Sequence, residues 1–316
     1  MLRYSTWAMN TECLLILHAN GANDKRAGSA ALVRAAARVK EYERTFSRFQ
    51  PASGLSRLNE GPSDRVQVSA DLAALLARAL EYARVTGGVF DPLVLAELEA
   101  LGYDRTFEEV SSRGRAPLPV AARARTHWTM VQVDAALGVV TRPVGARVDL
   151  GGVAKGAAAD AAMAELGSFP GALIDLGGDI RAHGQPDDVD GWIVAVDEPA
   201  GSHVASLDYL KLRDGAVATS SIGRRRWTRN GRTVHHIVDP RTGQSASSGA
   251  VQCTAIADTA EHADVAAKVG LILGVGSLSE DVEMSRALGL RGMAWVTPEG
   301  GYRCTEGWRS YALGRQ

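Results

Sequence analysis

The sequence predicts an α+β fold, and three observations carry that reading. Some windows repeat apolar residues at helical spacing, while others are short apolar or alternating runs bounded by Gly, Pro or Asp. The two kinds mix along the chain without the regular strand–helix–strand period of a parallel α/β sheet. No internal repeat and no low-complexity tail interrupts them. At 316 residues the chain holds one large domain or two interleaved subdomains, with an ample core.

Composition narrows the class. Hydrophobic residues make up 46% and charged residues 22%, the balance of a soluble globular protein. The net charge of −1 gives no bulk attraction for nucleic acid, and no such partner is expected. Arg224-Arg225-Arg226 reads as a solvated loop, with anion contact as the alternative. Cys13, Cys253 and Cys304 are odd in number and unclustered, which argues against a disulfide framework or a zinc cage. Too few apolar residues precede Cys13 for an export signal, and no apolar run approaches the ~18 residues of a membrane span. The expected setting is cytoplasmic.

Taken in order, Cys13 to His18 is a short strand, and Ser29 caps a helix with Leu32, Ala35, Ala36, Val39, Tyr42 and Phe46 on one face. That helix runs into Phe46-Ser47-Arg48-Phe49. Ser69 caps the next helix, with Leu72, Leu75, Leu76, Leu80 and Ala83 inward, and Gly87 stops it. A helix stop explains Gly87-Gly88 but not the aromatic–acid pair in Val89-Phe90-Asp91-Pro92. Residues 104–125 read as an exposed excursion, rich in Arg, Ser and Pro. Trp128 to Val133 and Gly138 to Thr141 read as a hairpin. Ala172 to Ile174, Trp192 to Val196, Leu207 to Leu212, Ala216 to Thr219 and Val251 to Ile256 read as strands. Thr259 caps a helix running to Gly274, residues 279–288 read as one more, and Met293 to Val296 pairs with Tyr302 to Thr305.

The chemistry concentrates at Asp149-Leu150-Gly151-Gly152-Val153-Ala154-Lys155-Gly156. A strand over Ala146 to Leu150 is expected to turn at the two glycines into a small-residue helix. Glycines let a ligand approach the backbone, and the free N–H groups of a helix start favour an anion. Lys155 in the first turn opposes the helix dipole, so a negative group nearby would explain it. The stretch matches neither G-x-x-x-x-G-K-[ST] nor G-x-G-x-x-G. Taken alone, a phosphate site and a plain glycine turn with a surface Lys both stay open. Asp175-Leu176-Gly177-Gly178-Asp179 is a second turn of the same kind.

In combination these segments resemble the ApbE family of FAD:protein FMN transferases. The resemblance rests on Phe46-Ser47-Arg48-Phe49 with Leu55-Ser56-Arg57-Leu58-Asn59, on Gly87 to Pro92, and on the two Asp-Leu-Gly-Gly turns. Ala218-Thr219-Ser220, His236-Ile237-Val238-Asp239-Pro240-Arg241-Thr242-Gly243 and Ala263-Asp264 follow in family order. It implies a fold related to the T-fold, with mixed sheets, packed helices and an FAD cleft between two subdomains. It also implies an enzyme that uses Mg²⁺, splits the FAD pyrophosphate, and passes FMN to a Thr or Ser hydroxyl of an acceptor flavoprotein as AMP leaves. By that resemblance Met9, Phe49, Gly88, Val89, Phe90 and Asp91 hold the flavin. Asp149, Gly151, Lys155, Gly178, Asp179, Thr219, Ser220, Ile237, Asp239 and Thr242 complete the FAD site. His236 is the general base, and Gly152 and Asp264 hold the metal; the alternative for His236 is that it only holds its loop, with His235 exposed beside it.

Three departures stand out. Asn10 follows Met9 where the family has Gly, and Phe49 stands where Tyr is common. Lys268 occupies the place of a Thr or Ser metal ligand, four residues after Asp264, the favourable order for an ion pair. An ammonium cannot coordinate Mg²⁺. Either Lys268 takes the metal's place or it points aside and leaves a weak, FAD-dependent Mg²⁺ site, the latter being the expectation. FAD hydrolysis and flavin binding without catalysis are the competing functions.

Overall fold

The computed structural model describes residues 1–112, 127–187, 189–199 and 206–314. Its frame is an eight-stranded antiparallel sheet whose strands lie side by side in chain order. They are Leu2–Ala8, Thr11–His18, Gly171–Leu176, Ile180–Gly184, Gly215–Ser221, Gln252–Ala257, Leu290–Val296 and Tyr302–Cys304. The α+β expectation is met.

Helices cover one face. Gly21–Phe46, Ala154–Ala164 and Ala260–Leu273 bury Ala35, Val39, Ala158, Ala162 and Ala263 against Leu15, Ile174 and Ala218. The Ala260–Leu273 helix is apolar nearly all round, and such a helix belongs inside a core. The ribbon of Trp192–Val196 and Asp208–Leu212 covers the other face, with Trp308 wholly buried beneath it. Hence every residue of Gln252–Ala257 is buried.

Two close contacts fix the helices that carry the site. A Cβ on Gly156 would lie 2.3 Å from the Ala260 carbonyl oxygen, so bare backbone brings the two helices together. Asp160 accepts hydrogen bonds from the Ala260 and Glu261 N–H groups, at 3.0 and 2.9 Å. Its carboxylate thereby closes donors that a helix start leaves open.

The structure revises several expectations. Leu2–Ala8 is a strand, paired with Thr11–His18 through a turn in which Met9 and Asn10 are both left-handed. The first helix begins at Gly21 with Asn20 as its cap, and Ser29 lies inside it, donating to the Lys25 carbonyl. A short helix, Gly54–Glu60, follows it. Trp128–Met130 is a 3-10 turn, and the hairpin is reduced to Gln132–Asp134 paired with Val139–Thr141, which pairs on its other side with Arg65–Gln67. Residues 279–288 are split by Asp281, which caps the second of two short helices. Most of the 104–125 excursion lies outside the described residues; its first part forms the Phe107–Ser112 helix.

Residues 146–150 join no sheet. Side chains hold them instead. Asn59 donates to the Val148 carbonyl at 2.8 Å and accepts from the Val148 N–H at 2.7 Å. The buried Arg142 guanidinium donates to the carbonyls of Leu58, Gly61 and Ala146.

Candidate active site

Around the Gly151 turn runs a cleft of two adjoining lobes, about 330 and 360 Å³. The first is aromatic and apolar, lined by Trp7, Met9, Phe49, Val89, Phe90 and Tyr103. The second is polar, lined by Gly178, Asp197, Thr219, Ser220, Ser221 and Arg224. Both share Gly151, Lys155, Arg225, His236, Ile237 and Lys268, so three cations and a histidine mark their junction.

Arg48 organises the aromatic lobe. Its Nε lies 2.7 Å from Asp149 Oδ2, with the two side chains only 8% and 11% exposed. Its guanidinium lies 4.1 Å from the Phe49 ring centroid and 4.7 Å from that of Tyr103, within cation–π range. Tyr103 in turn meets Phe49, Trp227 and His236. Asp149 also accepts from the Gly151 N–H at 2.6 Å, which closes the turn.

At the junction Lys155 pairs with the buried Asp179, the negative group its position called for. Burial pushes the Lys155 pKa down, a push that the carboxylate of Asp264 opposes. Lys268 enters from the Ala260–Leu273 helix and lies against the bare Cα of Gly152, where a Cβ would meet its Nζ at 1.5 Å. Its ammonium is 5.8 Å from the Phe90 ring centroid. The Asp264–Lys268 ion pair that their spacing favours does not form, and Asp264 Oδ2 is buried without a hydrogen-bond partner. Helical spacing places both on one side, but Lys268 extends past the carboxylate to Gly152.

His236 is half-buried, with Nδ1 3.4 Å from the Arg225 carbonyl oxygen. That oxygen only accepts, so the tautomer protonated at Nδ1 fits, and Nε2 is left as acceptor. Burial, with Arg225 and Lys268 adding like charge, pushes its pKa well below the ordinary histidine value. His235 points the other way. It is 8% exposed, and its Nε2 meets the Ala246 carbonyl at 3.0 Å, which corrects the expectation of an exposed neighbour.

Of the residues expected at the site, Gly88, Asp179, Asp239 and Thr242 lie outside the cleft lining. Asp179 acts through Lys155. Asp239 accepts from Arg241 and from the Thr242 and Gly243 N–H groups, building the turn that follows Ile237. Gly88 has φ +80 and abuts the Trp128 indole. Met9, Phe49, Val89, Phe90, Asp91, Asp149, Gly151, Gly152, Lys155, Gly178, Thr219, Ser220, His236, Ile237 and Asp264 all line it. Sequence reasoning missed Trp7, Arg48 and Tyr103, and it ranked anion contact by Arg225 behind a solvated loop, whereas Arg225 lines both lobes. For Arg48 a signal existed, a charge set between two phenylalanines.

Among the described residues no three His, Cys, Asp or Glu side chains are placed to share a metal ion. The spot expected to hold Mg²⁺ offers one carboxylate, Asp264, and faces two ammonium groups. Mg²⁺ takes oxygen donors, often one carboxylate with phosphate and waters, but here the Lys268 ammonium stands where a hydroxyl ligand is expected, and a cation in that place does not fit a second one.

The chain belongs to the ApbE family, whose model matches residues 9–287. A relative from Treponema pallidum, named FAD:protein FMN transferase, is 31% identical over 78% of this chain and 72% of its own length. One of the same name from Haemophilus influenzae is 26% identical over 77% of this chain and 71% of its own length. The crystal structure of the ApbE protein from Thermotoga maritima superimposes with a TM-score of 0.82 at 27% identity, covering 100% of this chain and 99% of that one. Among the described residues no helix is long and apolar enough to cross a membrane.

Proposed function

We propose that the chain transfers the FMN moiety of FAD to a Thr or Ser hydroxyl of an acceptor flavoprotein, releasing AMP. The observation that carries this is the junction of the two lobes, which Lys155, Lys268, Arg225 and His236 line together. An aromatic lobe suits the isoalloxazine ring, a polar lobe suits the adenylate, and the cations between them suit a pyrophosphate. Phosphoryl transfer is mostly positioning and charge neutralisation, and this junction supplies both. His236 Nε2 takes the proton of the incoming hydroxyl. Its oxygen bonds to the FMN phosphorus, and the bond from that phosphorus to the bridging oxygen breaks, the electron pair leaving with AMP. No step runs through a metal.

The test is incubation with FAD and a candidate acceptor, read by in-gel flavin fluorescence. Labelled acceptor supports transfer, free FMN indicates hydrolysis, and unchanged FAD indicates binding alone. His236→Ala should keep FAD affinity within a few fold and lower the rate by ~10²–10⁴. Because the His236 pKa is lowered, its base form persists as pH falls through 6.5. The acid limb of the rate profile should therefore lie below pH 6.5; a limb centred at or above it would speak against His236 as base.

A further inference from the structure

We propose that the Lys268 ammonium stands in for a divalent cation on the FAD pyrophosphate, so that this chain binds and splits FAD without metal. The proposal rests on the flavin-transfer reading and deepens it at one residue.

Three observations carry it. First, Gly152 is glycine because Lys268 is there. A side chain at 152 would meet Nζ, Cε and Cδ at 1.5, 2.5 and 3.1 Å. The bare backbone thus seats an ammonium beside Gly152. Second, among the described residues no carboxylate lies within 4.0 Å of Lys268, whereas Lys155 is paired with Asp179. Of the two ammonium groups facing both lobes, Lys268 is the one left to bind a ligand. Third, Asp264 has a buried oxygen without a partner, facing the ammonium groups of this junction. Its charge is set against theirs.

Chemically the substitution is consistent. The acceptor oxygen still forms its bond to the FMN phosphorus, and AMP still leaves with the electron pair. Lys268 forms no covalent bond. It donates hydrogen bonds to phosphate oxygens and offsets the charge that grows on the departing AMP.

The experiment measures FAD affinity of the full chain by flavin-fluorescence quenching, in EDTA and in millimolar Mg²⁺. Wild type should bind FAD equally in both, within about two-fold, and calorimetric titration of Mg²⁺ into the protein should give no binding. Lys268→Thr should lose about 10–100-fold in affinity in EDTA, the worth of a charged hydrogen bond, and recover it in Mg²⁺. Lys268→Met, which keeps the length without the charge or a metal ligand, should be weak in both. A wild type that needs Mg²⁺ to bind FAD, or a Lys268→Met that binds FAD like wild type, overturns the proposal. Wild type that binds no FAD in either buffer defeats the flavin reading itself, and the proposal with it.

Discussion

The chain contains the tetrapeptide Asp-Leu-Gly-Gly twice, at 149–152 and at 175–178, and the two copies fold differently. The second joins two neighbouring strands of the sheet, and both its glycines are left-handed, at φ +70 and +96. The first leads into a helix, and neither of its glycines has positive φ. Each Asp accepts from a glycine N–H, but Asp149 reaches Gly151 and Asp175 reaches Gly178. Glycine is required at the second turn by backbone conformation, whereas at the first it leaves room for a side chain. Identical letters therefore answer to different forces, and substitutions should separate them.

The largest stability loss is expected at Gly177→Ala. The left-handed residue costs about 1–2 kcal/mol, and the new Cβ would meet Thr11 Oγ1 at 2.1 Å, adding about 1–3 kcal/mol of overpacking. Urea denaturation showing less than 1 kcal/mol would undo the conformational account. Next comes Asp179→Asn, which leaves the Lys155 ammonium without its countercharge. Breaking a buried pair costs about 3–5 kcal/mol; the lower end applies, since the amide oxygen still accepts and Lys155 is 21% exposed. A neutral result would mean that Lys155 is held by something other than Asp179.

Gly178→Ala is expected to cost about 1–2 kcal/mol, from backbone alone, because nothing lies within 4 Å of the added Cβ. Smallest is Gly152→Ala. The atom in its way is the end of a flexible lysine, so the melting temperature should barely move while FAD affinity falls as in Lys268→Met. In a Lys268→Ala background the Gly152→Ala change should then have no further effect on affinity, a non-additivity that marks contact. If the two effects add instead, Gly152 serves the ligand directly.

The same contrast shows what was legible beforehand. Ser69 and Thr259 cap helices as read, each accepting from a backbone N–H three residues on. Those signals are local. Leu2–Ala8 escaped notice because it is an edge strand with Arg3, Ser5 and Trp7 turned to solvent, which leaves no apolar run. The first helix was read as starting late because its opening turns, residues 21–27, are exposed and carry no apolar stripe. At the site, glycines, acids and the histidine were legible as types, whereas the pairing of Arg48 with Asp149 and the reach of Lys268 to Gly152 join residues far apart in sequence. No periodicity encodes such contacts; folding brings them together.

The segment that carries Asp149 is held at Val148 by Asn59, whose amide imitates a neighbouring strand for one residue. A ladder shares its load among many bonds and frays from its ends. A single side chain has no end to fray from: both bonds hold or both let go. The Val148 amide should thus exchange with solvent in one event with the Gly54–Glu60 helix, and Asp149 is carried by a latch whose other half sits in that helix.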